Sequence, residues 1–252
     1  MFSIFKKKNL VTDIEWLGVD VHSHLLPGID DGSPNVDQSV KLIKGLNDLG
    51  FSKFICTPHI FNELYPNTEQ TILPALQLTK EALTRLGVDV DISAAAEYMV
   101  DETFEIGEGL MCLPKDHILI EMSYLNESPN IEQVIFDLQL EGYKVIVAHP
   151  ERYVFYHNAR QRFHRLKDMG VLFQMNLLSI VGYYGKEVKQ ATEYLISKDC
   201  YDLAGSDLHH DKHLQSLTKF VREGEMYKKI GTYAFKNREL FHSRLPGDVV
   251  RL

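Results

Sequence analysis

Short apolar runs alternate with amphipathic stretches along the whole chain, and acidic, imidazole and amide side chains gather where the runs end rather than where they begin. The runs lead to His22 and His24 from Val19, then cover Lys53 to Thr57, Val90 to Ala95, His117 to Glu121, Lys144 to Ala148, Val171 to Met175 and Tyr201 to Gly205. Between them, apolar residues recur at helical spacing. Val36, Val40, Ile43, Leu46 and Leu49 run up to Gly50, Thr68 to Leu86 up to Gly87, and Ile131 to Leu140 up to Gly142. Pro74 is expected to disturb the Thr68 to Leu86 helix, and further helices are predicted over Asn158 to Met169, Lys186 to Ser197 and most of Leu214 to His242, with a break at Gly231. Such alternation predicts a parallel α/β architecture. In (β/α) barrels the loops at the C-terminal ends of the strands build the active site, which matches the polar bias. With seven strands, one unit short of eight, the expected fold is a distorted (β/α)7 TIM-like barrel. A doubly wound sheet is disfavoured, because no glycine-rich phosphate turn follows the first strand.

At 252 residues and 44% hydrophobic content the chain can bury one large core, so a single domain is expected, with residues 1–17 as an N-terminal tail and 18–252 as the barrel. Lys6-Lys7-Lys8 in that tail reads as solvated. The formal net charge of −8 gives no footprint for nucleic acid, so a phosphate ligand requires a local cationic site. Cys56, Cys112 and Cys200 form no close pair, which suits a reducing cytoplasm. No apolar run is long enough to cross a bilayer, so no stable membrane insertion is expected.

The densest signal is Val19-Asp20-Val21-His22-Ser23-His24. Two positions apart in an extended chain, His22 and His24 point the same way, as two ligands to one metal would. Asp30-Asp31-Gly32 then offers hard oxygen donors a short loop away, and Ser33-Pro34 reads as an N-cap followed by proline at the first helical position. Collected from the strand ends, the candidate ligands are His22, His24, Asp31, His59, Glu97, Glu121, His149, Asp207 and His209. Nine mixed nitrogen and oxygen donors suit two or three divalent cations rather than one structural zinc.

These positions carry D-V-H-S-H at 20–24, T-P-H at 57–59, A-E-Y at 96–98, A-H-P-E-R-Y at 148–153 and G-S-D-L-H at 205–209. Through them the chain resembles the polymerase and histidinol phosphatase (PHP) superfamily over nearly its whole length. The stretch from His22 to Ser33 and the H-P-E-R-Y segment resemble the CpsB-type, manganese-dependent bacterial protein-tyrosine phosphatases of capsule and exopolysaccharide production. The resemblance implies one metal on His22, His24, Glu97 and Asp207, with Glu97 bridging to a second completed by Glu121 and His149. A third would rest on Asp31, His59 and His209. It also implies Arg152, Asp207 and His209 as catalytic residues and a phosphotyrosine protein, a bacterial tyrosine kinase, as partner.

Carboxylates at 31 and 121, where other branches carry histidine, harden the site and favour manganese or iron over zinc. Asp31, Glu97, Glu121 and Asp207 offset four of the six positive charges of three divalent cations, leaving a pocket that attracts a phosphomonoester dianion. The expected chemistry is attack by a metal-bound hydroxide, with the Arg152 fork holding phosphate or the leaving phenolate. A cysteine mechanism is excluded, because none of the three cysteines is followed by arginine six residues on. Phe61, Tyr65 and Tyr124 are candidates to flank a phosphotyrosine ring, and Asn176 to support a ligand by hydrogen bonding. His117, His157, His164, His210, His213 and His242 are expected at the surface or in local hydrogen bonds. The alternatives are a small-molecule phosphatase of the histidinol-phosphate kind and a non-catalytic PHP-like regulatory module.

Overall fold

The computed structural model describes residues 10–107 and 109–241. The lysine tail and His242 lie outside them. In chain order the elements are β1 (Val19–Asp20), α1 (Val36–Leu49), β2 (Lys53–Cys56), β3 (His59–Ile60), α2 (Glu69–Arg85), β4 (Asp91–Ala94), β5 (Glu97–Met99) and β6 (His117–Glu121). There follow α3 (Ile131–Leu140), β7 (Lys144–Ala148), α4 (Gln161–Asp168), β8 (Leu172–Asn176), α5 (Leu177–Ile180), α6 (Lys186–Ser197), β9 (Leu203–Gly205), α7 (Asp211–Arg222), α8 (Glu225–Ile230) and α9 (Asn237–Phe241). Two 3-10 turns, Pro150–Arg152 and Val154–Tyr156, separate β7 from α4.

Every strand pairing is parallel, in two sheets ordered β1-β2-β4 and β3-β5-β6-β7-β8-β9. Two of the seven expected strands are therefore each split, β2 continuing as β3 and β4 as β5. Pro58 has no N–H to carry the ladder across the first break. The chain still holds register there, because the Ala95 N–H donates to Cys56 O (2.8 Å) and that of Glu97 to Pro58 O (3.1 Å).

The ends of the strand series meet. Ser23, just past β1, bridges Leu208, just past β9, in parallel. Lower down, the Ser206 hydroxyl and N–H donate to buried Asp20 (2.6 and 2.8 Å), whose carboxyl burial pushes up to about 6 despite those bonds. At the foot of the seam Asn237 of α9 accepts from Ala204 N–H (3.0 Å) and donates to the carbonyls of Val19 (2.8 Å) and Ala204 (2.6 Å).

Alternate residues divide the core. Val19, Ile55, Leu119, Ile146 and Leu203 pack on one another inside the ring of strands and are covered by Phe241. Their neighbours Phe54, Ile118, Ile120, Val145, Val147, Phe173 and Ala204 pack outward with the apolar faces of the helices. Ile14 and Leu17, within the expected tail, are buried in that outer layer.

Helix starts and stops follow local chemistry. The cap expected at Ser33 lies two residues on, at Asn35, whose side chain accepts the Gln38 N–H (3.0 Å). Ser33 is otherwise engaged: its N–H donates to His24 O (3.1 Å) and its carbonyl accepts from Gly28 (2.7 Å), tying the loop back onto the histidine strand. This return needs glycine at 32, where a Cβ would collide with the His24 carbonyl. Pro74 lies exposed in α2 without ending it. The last helical stretch breaks twice, because left-handed Gly224 (φ +73°) ends α7 before Gly231 ends α8.

Candidate metal centre

All nine candidate ligands arrive at one end of the strands. The Nε2 atoms of His22 and His24, both fully buried, lie 3.3 Å apart, so the alternation argument for this pair holds. His59 and Glu97 open β3 and β5 and are direct register partners. Glu121 closes β6, His149 follows β7, and Asp207 and His209 follow β9.

The cluster centres on Glu97. Its Oε2 atom is buried without a hydrogen-bond partner, yet His22 Nε2 (3.1 Å), His59 Nδ1 (3.2 Å) and His24 Nε2 (3.3 Å) surround it. Oε1 faces His149 Nε2 at 3.1 Å. Asp207 Oδ1 lies 3.5 Å from His22 and 3.4 Å from His24, while Glu121 Oε1 lies 3.1 Å from His59 Nδ1. Asp31 Oδ1 is 3.5 Å from both His59 Nε2 and His209 Nε2. Four overlapping groups have donor atoms within 4.8 Å of one another: His24, Asp31, His59 and His209; His22, His24 and Asp207; His22, Glu97 and His149; His59, Glu97 and Glu121.

A buried carboxylate oxygen without a hydrogen-bond partner, with three imidazole nitrogens 3.1–3.3 Å away, is the environment a divalent cation fits. The titration of the cluster agrees. Burial alone would keep His22 neutral, but Glu97 and Asp207 outweigh it and push the ring up to about 9. Conversely, the surrounding imidazoles hold Glu97 and Asp207 well below the usual carboxylate range in spite of their burial. The carboxylates thus demand positive charge, which divalent cations would supply in place of protons.

Around these donors a second layer sets their orientation. Gln174 Oε1 is 2.8 Å from His22 Nδ1 and also accepts the His149 N–H (3.3 Å). Asp30 Oδ2 takes His24 Nδ1 (2.8 Å) and the His59 N–H (3.2 Å). Asn176 donates to Asp207 Oδ2 (2.6 Å), the supporting role expected of it. Gly205 lets these groups close up, since a Cβ there would lie 2.7 Å from His22 Cβ and 2.9 Å from Gln174 Nε2. His149 (φ +30°) and Asp207 (φ +48°) are held in the left-handed region, strain of about 1–3 kcal/mol each that the rest of the fold sustains.

Arg152 does not pair with its neighbour Glu151, whose buried carboxylate accepts from Asn176 N–H and the Tyr201 hydroxyl (both 2.9 Å). Its Nη1 donates instead to Asp207 Oδ2 at 2.7 Å, and the guanidinium lies between the rings of Tyr124 and Tyr184. Asp31, His59, Glu121 and His209 of the cluster, with Arg152, Phe61, Tyr65, Tyr124 and Tyr184, line part of one cavity of about 780 Å³. Tyr65 stacks on His59 with ring centroids 5.5 Å apart.

Gln174 and Tyr184 escape a reading of the sequence by strand ends. A glutamine interrupting the apolar run Val171 to Met175 was the available signal for the first; Tyr184, in a Gly-Tyr-Tyr-Gly turn, carries none. Of the histidines set aside, His117 and His213 are buried but locally bonded, to Pro114 O (2.7 Å) and to the His209 N–H (3.3 Å). The cysteines are free, and burial pushes Cys56 up to about 12 and Cys112 to about 11, so neither is a ready thiolate.

No helix of the described residues is long and apolar enough to cross a membrane. The chain is 26% identical over 230 residues to the tyrosine-protein phosphatase YwqE of Bacillus subtilis, covering 88% of this chain and 90% of that one. It is 26% identical over 234 residues to the tyrosine-protein phosphatase CpsB of Streptococcus pneumoniae, covering 88% and 94%. A crystal structure from work on YwqE and CpsB, described as unique metal-dependent tyrosine phosphatases, superposes with a TM-score of 0.74 at 26% identity, over 88% of this chain and 90% of that one. Residues 18–240 match the family model for capsular polysaccharide synthesis, CpsB/CapC, and with the metal-type cluster in place at its strand ends the chain belongs to the CpsB/CapC family.

Proposed function

We propose that the protein is a metal-dependent protein-tyrosine phosphatase acting in the cytoplasm on a bacterial tyrosine kinase of capsule or exopolysaccharide production. The observation that carries this reading is Glu97 Oε2, buried and unpartnered within 3.1–3.3 Å of three imidazole nitrogens. His22, His24, Glu97 and Asp207 would hold one cation, and Glu97, Glu121 and His149 a second. Asp31, His59 and His209 would hold a third. His59 Nδ1, 3.2 Å from Glu97 and 3.1 Å from Glu121, also favours the second site. Two to three manganese ions suit this carboxylate-rich set, with iron or zinc as substitutes.

Such cations, when bound, polarise a phosphoryl oxygen and lower the pKa of water. The chain's own residues do the rest. Arg152 grips a phosphoryl oxygen or the departing phenolate with its planar fork. Asp207 keeps that fork at the cluster, and His209, 3.6 Å from Asp207, closes the wall beside it. Phe61 and Tyr65 line the cavity where an aryl ring would enter.

The test offers purified, manganese-supplemented protein a phosphotyrosine peptide, histidinol phosphate and a nuclease substrate side by side. Turnover of the peptide, lost with chelator and restored by manganese, is the expected result. Preference for histidinol phosphate would favour the small-molecule reading, and turnover of none of the three the non-catalytic module.

A further inference from the structure

Two aromatic rings flank the Arg152 guanidinium. Its guanidinium carbon lies 4.2 Å from the ring centroid of Tyr124 and 4.2 Å from that of Tyr184. These rings come from different parts of the fold, Tyr124 from the loop after β6 and Tyr184 from the turn between α5 and α6. Both are independently anchored. The Tyr184 hydroxyl accepts from Asn176 (3.1 Å), the same amide that donates to Asp207. The Tyr124 carbonyl accepts from Val154 N–H (3.4 Å), and Glu127 further along that loop accepts from the Tyr156 hydroxyl (2.5 Å) and from Arg162.

A guanidinium donates through its N–H groups, and two ring contacts at 4.2 Å take up none of these donors while restricting the swing of a long side chain. One edge is committed, Nη1 to Asp207 Oδ2 at 2.7 Å. Among the described residues no other acceptor bonds to the guanidinium, and the side chain, 17% exposed, lines the cavity beside the cluster. Four donors of the fork thus remain for an anion, out of the five that arginine carries.

Resting on the reading of Arg152 as the phosphate-gripping group, we propose that Tyr124 and Tyr184 are positioning residues that fix the plane of its guanidinium so that the edge opposite Asp207 meets the phosphoryl group. Tyr124 is then a jaw holding the arginine, with one ring face already covered, rather than a platform whose faces are both free for substrate.

A double-mutant cycle against Arg152→Ala tests this, with kcat for aryl phosphates and competitive inhibition by inorganic phosphate as readouts. Metal content and Tm are followed in every variant. Tyr124→Leu and Tyr184→Leu should each lower kcat and weaken phosphate inhibition about three- to tenfold, the range of a partly desolvated cation–π contact, and phenylalanine at either position should restore most of the loss. In the Arg152→Ala background the same leucine changes should cost almost nothing further, because nothing is left to position. Additive losses there would overturn the clamp and leave the Arg152 reading intact. An Arg152→Ala protein as active as wild type would overturn both. Should Tyr124→Leu lose its fold, Tyr184→Leu completes the cycle alone.

Discussion

Gln174 Oε1 and His22 Nδ1 lie 2.8 Å apart, deep under the cluster, and this contact decides which nitrogen of the histidine is left to face a cation. An amide oxygen only accepts, so Nδ1 keeps its proton and Nε2, beside Glu97, is the nitrogen that a cation would take in exchange for a proton. Gln174→Leu should fold yet bind manganese about 10–100-fold more weakly, as when other outer partners of ligating histidines are lost. Calorimetric titration of the apo variant reads this directly, and wild-type affinity would mean that packing alone orients His22.

Metal should also stabilise the fold, since the assembled donor set exists only in the native chain. A cation at 100 times its dissociation constant adds about 2.7 kcal/mol. Manganese is therefore expected to raise Tm and chelator to lower it, and Asp207→Ala should blunt both responses. Elemental analysis should find two to three ions per chain.

Arg152→Ala is expected to keep its metals and lose about 10²-fold in kcat, the scale of one preorganised donor. Arg152→Lys should recover little, because an ammonium reproduces neither the fork nor the stacking between two rings. The deficit should grow with leaving-group pKa across a series of aryl phosphates. A uniform deficit would assign the arginine to phosphate binding alone.

Replacing Cys56, Cys112 and Cys200 together by alanine or serine should leave kcat within about tenfold, or ~1.4 kcal/mol of barrier. Burial raises all three thiols. Loss of activity in a folded triple variant would reopen the thiolate mechanism.

Asp202 predicts a pH effect away from the cluster. It receives Lys167 (2.5 Å), Lys236 (2.8 Å) and the Phe173 N–H (3.0 Å). Burial opposes its ionisation, but these donors win, holding the carboxyl below its usual 3.8. A depressed native value stabilises above the unfolded pKa and is lost as pH falls through the native one. Asp202→Asn should therefore cost about 2 kcal/mol at neutral pH, with the gap to wild type closing below about pH 4. Urea midpoints across that range would reveal it; a gap independent of pH would assign the cost to packing.

The cluster was legible because each ligand follows an apolar run, so the parallel architecture carries distant residues to one end. His22 and His24 are legible even locally, through the two-residue period of extended chain. The breaks that create β3 and β5 were not, since Thr57-Pro58 and Ala95-Ala96 continue an apolar pattern while losing only a few rungs. The cap at Asn35 was masked by Ser33-Pro34, a stronger local signal overruled when Ser33 spends its backbone on His24 and Gly28. The arginine clamp required knowing that two tyrosines 60 positions apart both reach Arg152, which no periodicity encodes.

The amide of Asn237 touches both margins of the strand series, acting as a rung made of side chain below the backbone bonds that join His22 to Asp207 and His24 to Leu208. His22 stands above one margin and Asp207 above the other, 3.5 Å apart. The hoop that carries the candidate metal cluster is thus fastened by a rivet at its opposite end, from a helix that supplies none of the nine candidate ligands. Asn237→Leu would loosen one end of this seam while its backbone bonds remain, and its first symptom should be lost manganese affinity, before any change in the reaction that bound metal supports.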